Sequence, residues 1–154
     1  MLFASKYSPL QDLNKAKYWL RKASINGNSN AQFFYGLLLE EQGKDKDSLY
    51  WYKKSAKNNN PKAKYKLAKL FSKGYKVGIN RKEVYKLLHS AAEQDYPLAF
   101  QLLGIMYRED GDQDKTNYWC YKLVNSDFFK NVQSGMNHDD ALNKHILASK
   151  KRKR

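Results

Sequence analysis

The chain holds a single cysteine, Cys120, among 154 residues, which excludes an intramolecular disulfide framework and suits a reducing compartment. No apolar run approaches the roughly 18 residues that suggest a membrane span. The opening stretch MLFASKYSPLQDLNK lacks a basic start followed by a long apolar segment, so no secretory signal is expected. There is no glycine-rich phosphate loop, no nucleophile elbow and no paired-acid motif, which removes the usual sequence grounds for an enzyme. Acidic residues are few, 15 against 29 Lys and Arg, giving a formal net charge of +14. With 42% hydrophobic and 14% aromatic residues the chain is nonetheless too apolar to stay disordered. Its length suffices to bury roughly two thirds of the unfolded surface as one domain. A folded core with a solvated basic exterior follows.

What the chain does contain is a repeat. Trp19, Trp51, Leu87 and Trp119 are separated by steps of 32, 36 and 32 residues, and Ala31, Ala63 and Ala99 keep the same register. Such steps bracket the roughly 34-residue period of helix-turn-helix repeats. Ala31, Tyr35, Leu38 and Leu39 correspond to Ala63, Leu67, Leu70 and Phe71, and to Ala99, Leu103, Met106 and Tyr107. Each set falls at i, i+4, i+7 and i+8, so one helical stripe is written three times. Between them a small residue recurs at Gly36, Ala68 and Gly104, where a larger side chain would hold two helices apart.

Lys22-Ala23, Gly27, Ala31-Gln32, Gly36 and Gly43, followed by Trp51-Tyr52-Lys53-Lys54-Ser55-Ala56, resemble the Sel-one-like repeat, a relative of the tetratricopeptide repeat. The resemblance covers roughly residues 10 to 124. Ala68 replaces the family's glycine, Leu87 its tryptophan, and Gly74 sits one place early relative to Gly43 and Gly111. Gly74-Tyr75-Lys76-Val77-Gly78 resembles the family's glycine-containing loop and accounts for the longer step. The resemblance implies an all-α, right-handed α-solenoid of about three helix-turn-helix repeats with a divergent C-terminal cap. A single domain is expected over residues 1–149, with a half repeat over 8–27, repeats over about 29–124 and a cap over 125–149, followed by a basic tail at 150–154.

Along the chain, Ser8-Pro9-Leu10-Gln11 reads as a helix start, with Leu13, Ala16, Leu20 and Ala23 following and an end near Gly27. Ser29 or Asn30 is expected to cap the next helix, which runs to Gly43. A partner helix over Asp45 to Asn58 turns Leu49, Tyr52 and Ala56 inward. Asn60-Pro61 and Tyr96-Pro97 each open a first helix of a repeat. Asn80 with Glu83 is a capping-box variant, and Asp112 to Val124 is the last helix in register. Residues 125 to 136 do not align, and Asn137 with Asp139 and Asp140 begins a short amphipathic helix to Ser149.

The charge is uneven. Residues 41 to 80 carry eleven Lys and Arg against three acids, whereas 81 to 120 carry five against seven. Lys62, Lys66, Lys69 and Lys73 fall at steps of 4, 3 and 4 and line one helical face. In the family it resembles, the first helix of each repeat lines a concave surface that holds partners. The equivalent positions vary between copies, as Phe34, Lys66 and Leu102 and as Leu37, Lys69 and Ile105. Tyr65 and Phe33 are expected to anchor a partner beside the lysines. The Tyr-Trp pairs at 18-19, 50-51 and 118-119 read as packing, with one ring between helices and the other partly wet. His138, His145 and Asp139 would make a thin metal site, and capping with core packing accounts for them. No metal and no cofactor is expected.

A non-enzymatic adaptor whose basic concave face holds an acidic protein is the function expected, in a regulatory, effector or immunity-type role. Nucleic acid bound through phosphate contacts is the alternative partner, and self-association between the basic second and acidic third repeats is a further one. A cytoplasmic location is expected, or a nuclear one if Lys150 to Arg154 act as a localisation signal.

Overall fold

The computed structural model describes residues 9–73 and 81–153, and all regular structure among them is α-helical. Ser8, the Gly74–Gly78 loop, the capping Asn80 and Arg154 lie outside the described residues. The chain divides into two compact units, Met1–Ala63 and Lys64–Arg154. Helices pack in succession along each of them, the solenoid-like all-α arrangement expected of stacked helix pairs.

In the first unit, α1 (Pro9–Ile25) and α3 (Asp45–Lys57) both pack on α2 (Ser29–Glu41). Asn28, one residue before the expected caps, opens α2 by accepting from the Ala31 amide at 2.9 Å. Asp45 and Asp47 in the first turn of α3, and Lys54 and Lys57 in its last, match the helix dipole. Ala31, Tyr35 and Leu39 of the predicted stripe are buried with Tyr52 and Ala56. Leu13 is 64% exposed, whereas Ser24 of the same helix is fully buried.

A polar ladder fixes how these helices align. The Gln32 side-chain amide, 2% exposed, donates to the Ser24 carbonyl at 3.0 Å and accepts from Asn58 at 2.9 Å. Ser55 donates to the Ser29 carbonyl at 2.7 Å, and the Asn60 amide donates to Asn30 at 2.9 Å. Partnered in this way, buried polar groups avoid the penalty of lost solvation and specify one register.

α4 (Pro61–Ser72) begins at the end of the first unit and continues into the second. α5 (Arg81–Ala92), α6 (Pro97–Glu109) and α7 (Gln113–Val124) follow. Ala68, Val84, Leu88, Ala91, Ala99, Phe100, Leu103, Met106 and Trp119 form the core of this unit. Arg81 fastens the start of α5 to the end of α6: its guanidinium donates to the Met106 carbonyl at 3.1 Å and pairs with Asp110 at 2.6 Å. Tyr85 donates to Asp110 at 2.5 Å, and the Tyr85 hydroxyl with the Arg81 guanidinium holds that carboxyl below its usual range.

The repeat register carries a feature that the sequence reading passed over. Gly27, Asn59 and Asp95, again 32 and 36 residues apart, all have positive φ, at 91°, 64° and 57°. The residue after each donates back five places, Asn28 to Ala23, Asn60 to Ser55 and Tyr96 to Ala91, at 3.1 to 3.3 Å. All three helices therefore end in the same left-handed turn, filled by glycine once and by the two side chains that best tolerate that conformation elsewhere.

The cap consists of α8 (Asp127–Gln133) and α9 (His138–Arg152). Ser126 opens α8 by accepting from the Phe129 amide, and Asn137 opens α9 as expected. The helix in α8 was not anticipated, because the repeat pattern does not extend to it. α9 also runs past Ser149, so three residues of the basic tail are helical, with Arg152 3.1 Å from Asp127. His145 is a core residue, accepting at Nδ1 from the Phe128 amide at 3.3 Å and donating from Nε2 to the Asp95 carbonyl at 2.8 Å.

Candidate partner-binding face

The second repeat's first helix is set by Asn60, whose side-chain oxygen accepts from the Lys62 amide at 3.0 Å and the Ala63 amide at 3.2 Å. Pro61 supplies the first helical residue without needing a donor. Ala63, Leu67 and Ala68 are at most 3% exposed and fix one side of α4. At 3.6 residues per turn, Lys62, Lys66 and Lys69 project within roughly 60° of one another on the other side.

Three of the four lysines of the predicted ridge are helical and the fourth is not. α4 ends at Ser72, so Lys73 occupies the following turn and is exposed. Lys69 is exposed, while Lys62 and Lys66 are half-buried. The Lys62 ammonium stands 5.4 Å from the centre of the Phe34 ring, and that of Lys69 6.0 Å from Tyr65.

The two aromatic anchors are placed differently from expectation. Tyr65 is half-buried against the core of the second unit, 5.7 Å from Tyr96, and burial pushes its phenol up. Phe33 is half-buried rather than exposed, packing 5.8 Å from the fully buried Tyr52. Its neighbour Phe34 is the exposed ring of α2, at 46%. Being on a different side of the helix from Phe33 decides this, since consecutive residues are rotated by about 100°.

Lys64 is the charged residue of α4 that sequence reading missed. It is 7% exposed, its ammonium donates to Ser90 at 2.6 Å, and burial lowers its pKa against the opposing pull of Glu93. Its position is in register with Gln32 and Phe100, both buried, so the repeat itself carried the signal. Among the described residues no group of three or more His, Cys, Asp and Glu could hold a metal ion, and no helix is long and apolar enough to cross a membrane. Cys120 is exposed, with its sulfur facing Gly104.

No family model matches the chain, and no solved structure does. Two proteins of Schizosaccharomyces pombe are similar to it. Chitin synthase regulatory factor 4 is 41% identical over 49 residues, which are 32% of this chain and 8% of that protein. A putative ERAD-associated E3 ubiquitin-protein ligase component is 28% identical over 115 residues, 72% of this chain and 16% of that protein. The chain thus spans less than a fifth of the length of either relative.

Proposed function

We propose that the chain is a Sel-one-like repeat module that binds another protein without catalysing a reaction, using the lysine-bearing side of α4 to hold an acidic surface. The observation that carries this reading is the division of α4 into two sides. One is fixed by Ala63, Leu67 and Ala68, and the other presents Lys62, Lys66 and Lys69. The fixed side recurs in α2 and α6, while the outward positions change to Phe34 and Leu37 and to Leu102 and Ile105. A constant scaffold with variable outward residues suits recognition, and clustered cations speed and orient encounter with an anionic partner. The regulatory factor and ligase component that resemble parts of the chain support a regulatory or assembly role.

The test is capture from nuclease-treated lysate by the native chain and by a Lys66→Glu/Lys69→Glu variant, followed by titration of the recovered protein in purified form. The expected result is one acidic protein whose affinity drops at least roughly tenfold in the variant and falls with added salt. Equal affinity for both chains, with both folded by circular dichroism, overturns the reading.

A further inference from the structure

The outward sides of α1 and α3 repeat one arrangement. On α3, Tyr50, Lys53, Lys54 and Lys57 stand at i, i+3, i+4 and i+7 and form a single stripe. On α1 the residues 32 places earlier are Tyr18, Arg21, Lys22 and Ile25. All eight are exposed, the tyrosines at 60% and 53%. On α3, Ser48, Tyr52 and Ser55 are buried on the opposite side, and on α1 the buried or half-buried residues include Leu20, Ala23 and Ser24, so the stripes are held outward. Neither stripe contains an acid. The Lys54 ammonium lies 5.4 Å from the centre of the Tyr50 ring, and that of Lys22 lies 5.1 Å from Trp19.

Core packing does not account for these tyrosines. Trp51, next to Tyr50, packs 5.4 Å from Tyr35, whereas Tyr50 itself points to solvent. The corresponding stripe of α7 reads Tyr118, Tyr121, Lys122 and Asn125, with one cation where α1 and α3 have two or three. A tyrosine followed by paired cations is therefore a property of the first unit.

We propose that these stripes bind single-stranded nucleic acid, with Tyr18 and Tyr50 stacking on bases and Arg21, Lys22, Lys53, Lys54 and Lys57 neutralising phosphates. Flat rings beside cations are the combination that single strands use, since every base has a stacking face and every nucleotide a charge. A duplex hides its base faces and leaves the rings without a role. An anionic membrane needs apolar depth beneath the cations, and Ile25 is the one aliphatic residue in the two stripes. These residues are different from the α4 lysines, beside which Tyr65 is occupied by packing.

The probe is a labelled thymidine strand of about 15 nucleotides, within the range of single-strand site sizes, titrated by fluorescence anisotropy at several salt concentrations. Binding is expected to weaken steeply with salt. A Tyr18→Ala/Tyr50→Ala variant, unchanged in charge and altered only at exposed positions, is expected to lose at least roughly tenfold in affinity. Lys53→Glu/Lys54→Glu should lose more than Lys66→Glu/Lys69→Glu, although the two change net charge equally. The proposal is overturned by absent binding, by equal losses from the two charge reversals without loss from the tyrosine pair, or by stronger binding to the matching duplex. Capture by phosphatidylserine vesicles in preference to the strand overturns it as well. None of these outcomes depends on whether the α4 face holds a protein.

Discussion

Gly36 of α2 lies against the ring of Tyr52 on α3 so closely that a methyl group built on it would stand 2.7 Å from one ring carbon and 2.8 Å from another. Tyr52 cannot yield. It is fully buried and its hydroxyl donates to the Glu40 carboxylate, contacts that push the phenol well above its ordinary range. At Gly104 the same methyl would meet Cys120 Sγ at 3.5 Å, an ordinary contact, and the equivalent residue of the second copy is already Ala68. Gly36→Ala is expected to lower stability in urea by about 1–3 kcal/mol, the usual range for overpacking. Gly104→Ala is expected to be neutral or to gain up to about 1 kcal/mol from helix propensity. Similar losses at both positions would mean that the small residue serves helix approach equally in each copy.

The left-handed turn at Asn59 separates backbone strain from side-chain contact. Asn59→Gly is expected to keep or slightly raise stability, whereas Asn59→Ala, placing an ordinary side chain at φ of 64°, should cost about 1 kcal/mol. Chemical denaturation of the two variants checks this. A loss in both would assign the residue's value to its side chain rather than to its conformation.

The stripes of α2, α4 and α6 and the prolines that open α4 and α6 were legible because burial and helix geometry act at fixed spacing. Asn59 and Asp95 were passed over although they repeat in phase with Gly27, since their role is a backbone angle and leaves no hydrophobic mark. Trp19 shows the opposite failure. Trp51 packs on Tyr35 and Trp119 on Phe100 and His89, rings of helices that precede them, but α1 is the first described helix and Trp19 is 58% exposed. At the candidate site the spacing puts Lys62, Lys66 and Lys69 on one side of α4, while Lys73 falls past the end of that helix. Which aromatic faces outward depended on one step of helical rotation, and Phe34 rather than Phe33 has it.

The tryptophans should therefore differ in consequence. Trp119→Ala removes a ring that is 9% exposed and stacked at 5.8 Å on Phe100, and a loss of about 3–5 kcal/mol is expected. Trp19→Ala should stay within about 0.5 kcal/mol, as exposed substitutions usually do. In single-tryptophan variants, acrylamide should quench Trp19 strongly and Trp119 weakly. Comparable quenching would contradict the burial pattern.

His89 gives the second unit a pH dependence. Burial pushes its pKa down, Glu93 pulls it back and Lys115 adds to the depression, while Nε2 is 2.9 Å from the Tyr107 hydroxyl. The unfolded chain then takes up the proton more readily than the folded one. The stabilising contribution is complete above the ordinary histidine value of about 6.5 and is lost as pH falls through the lowered folded value. Urea midpoints measured from pH 8 to pH 5 should decline more steeply for the native chain than for His89→Gln. Identical slopes would place the acid sensitivity elsewhere.

His145 ties α9 to the rest of the second unit through both ring nitrogens. The Phe128 amide reaches Nδ1 from the start of α8, and Nε2 donates to the carbonyl of Asp95, which itself occupies a left-handed turn. His145→Ala removes the partner of two backbone groups at once, and a buried group left unsatisfied costs about 1–3 kcal/mol. The loss should be local. Hydrogen exchange is expected to accelerate in α8 and α9, which pack on each other, while the amides of α6 around Leu103 keep their protection. Faster exchange throughout α6 would show that the imidazole supports the whole core of the unit, so that the terminal helices are part of its cooperative fold instead of a cover held on by one side chain.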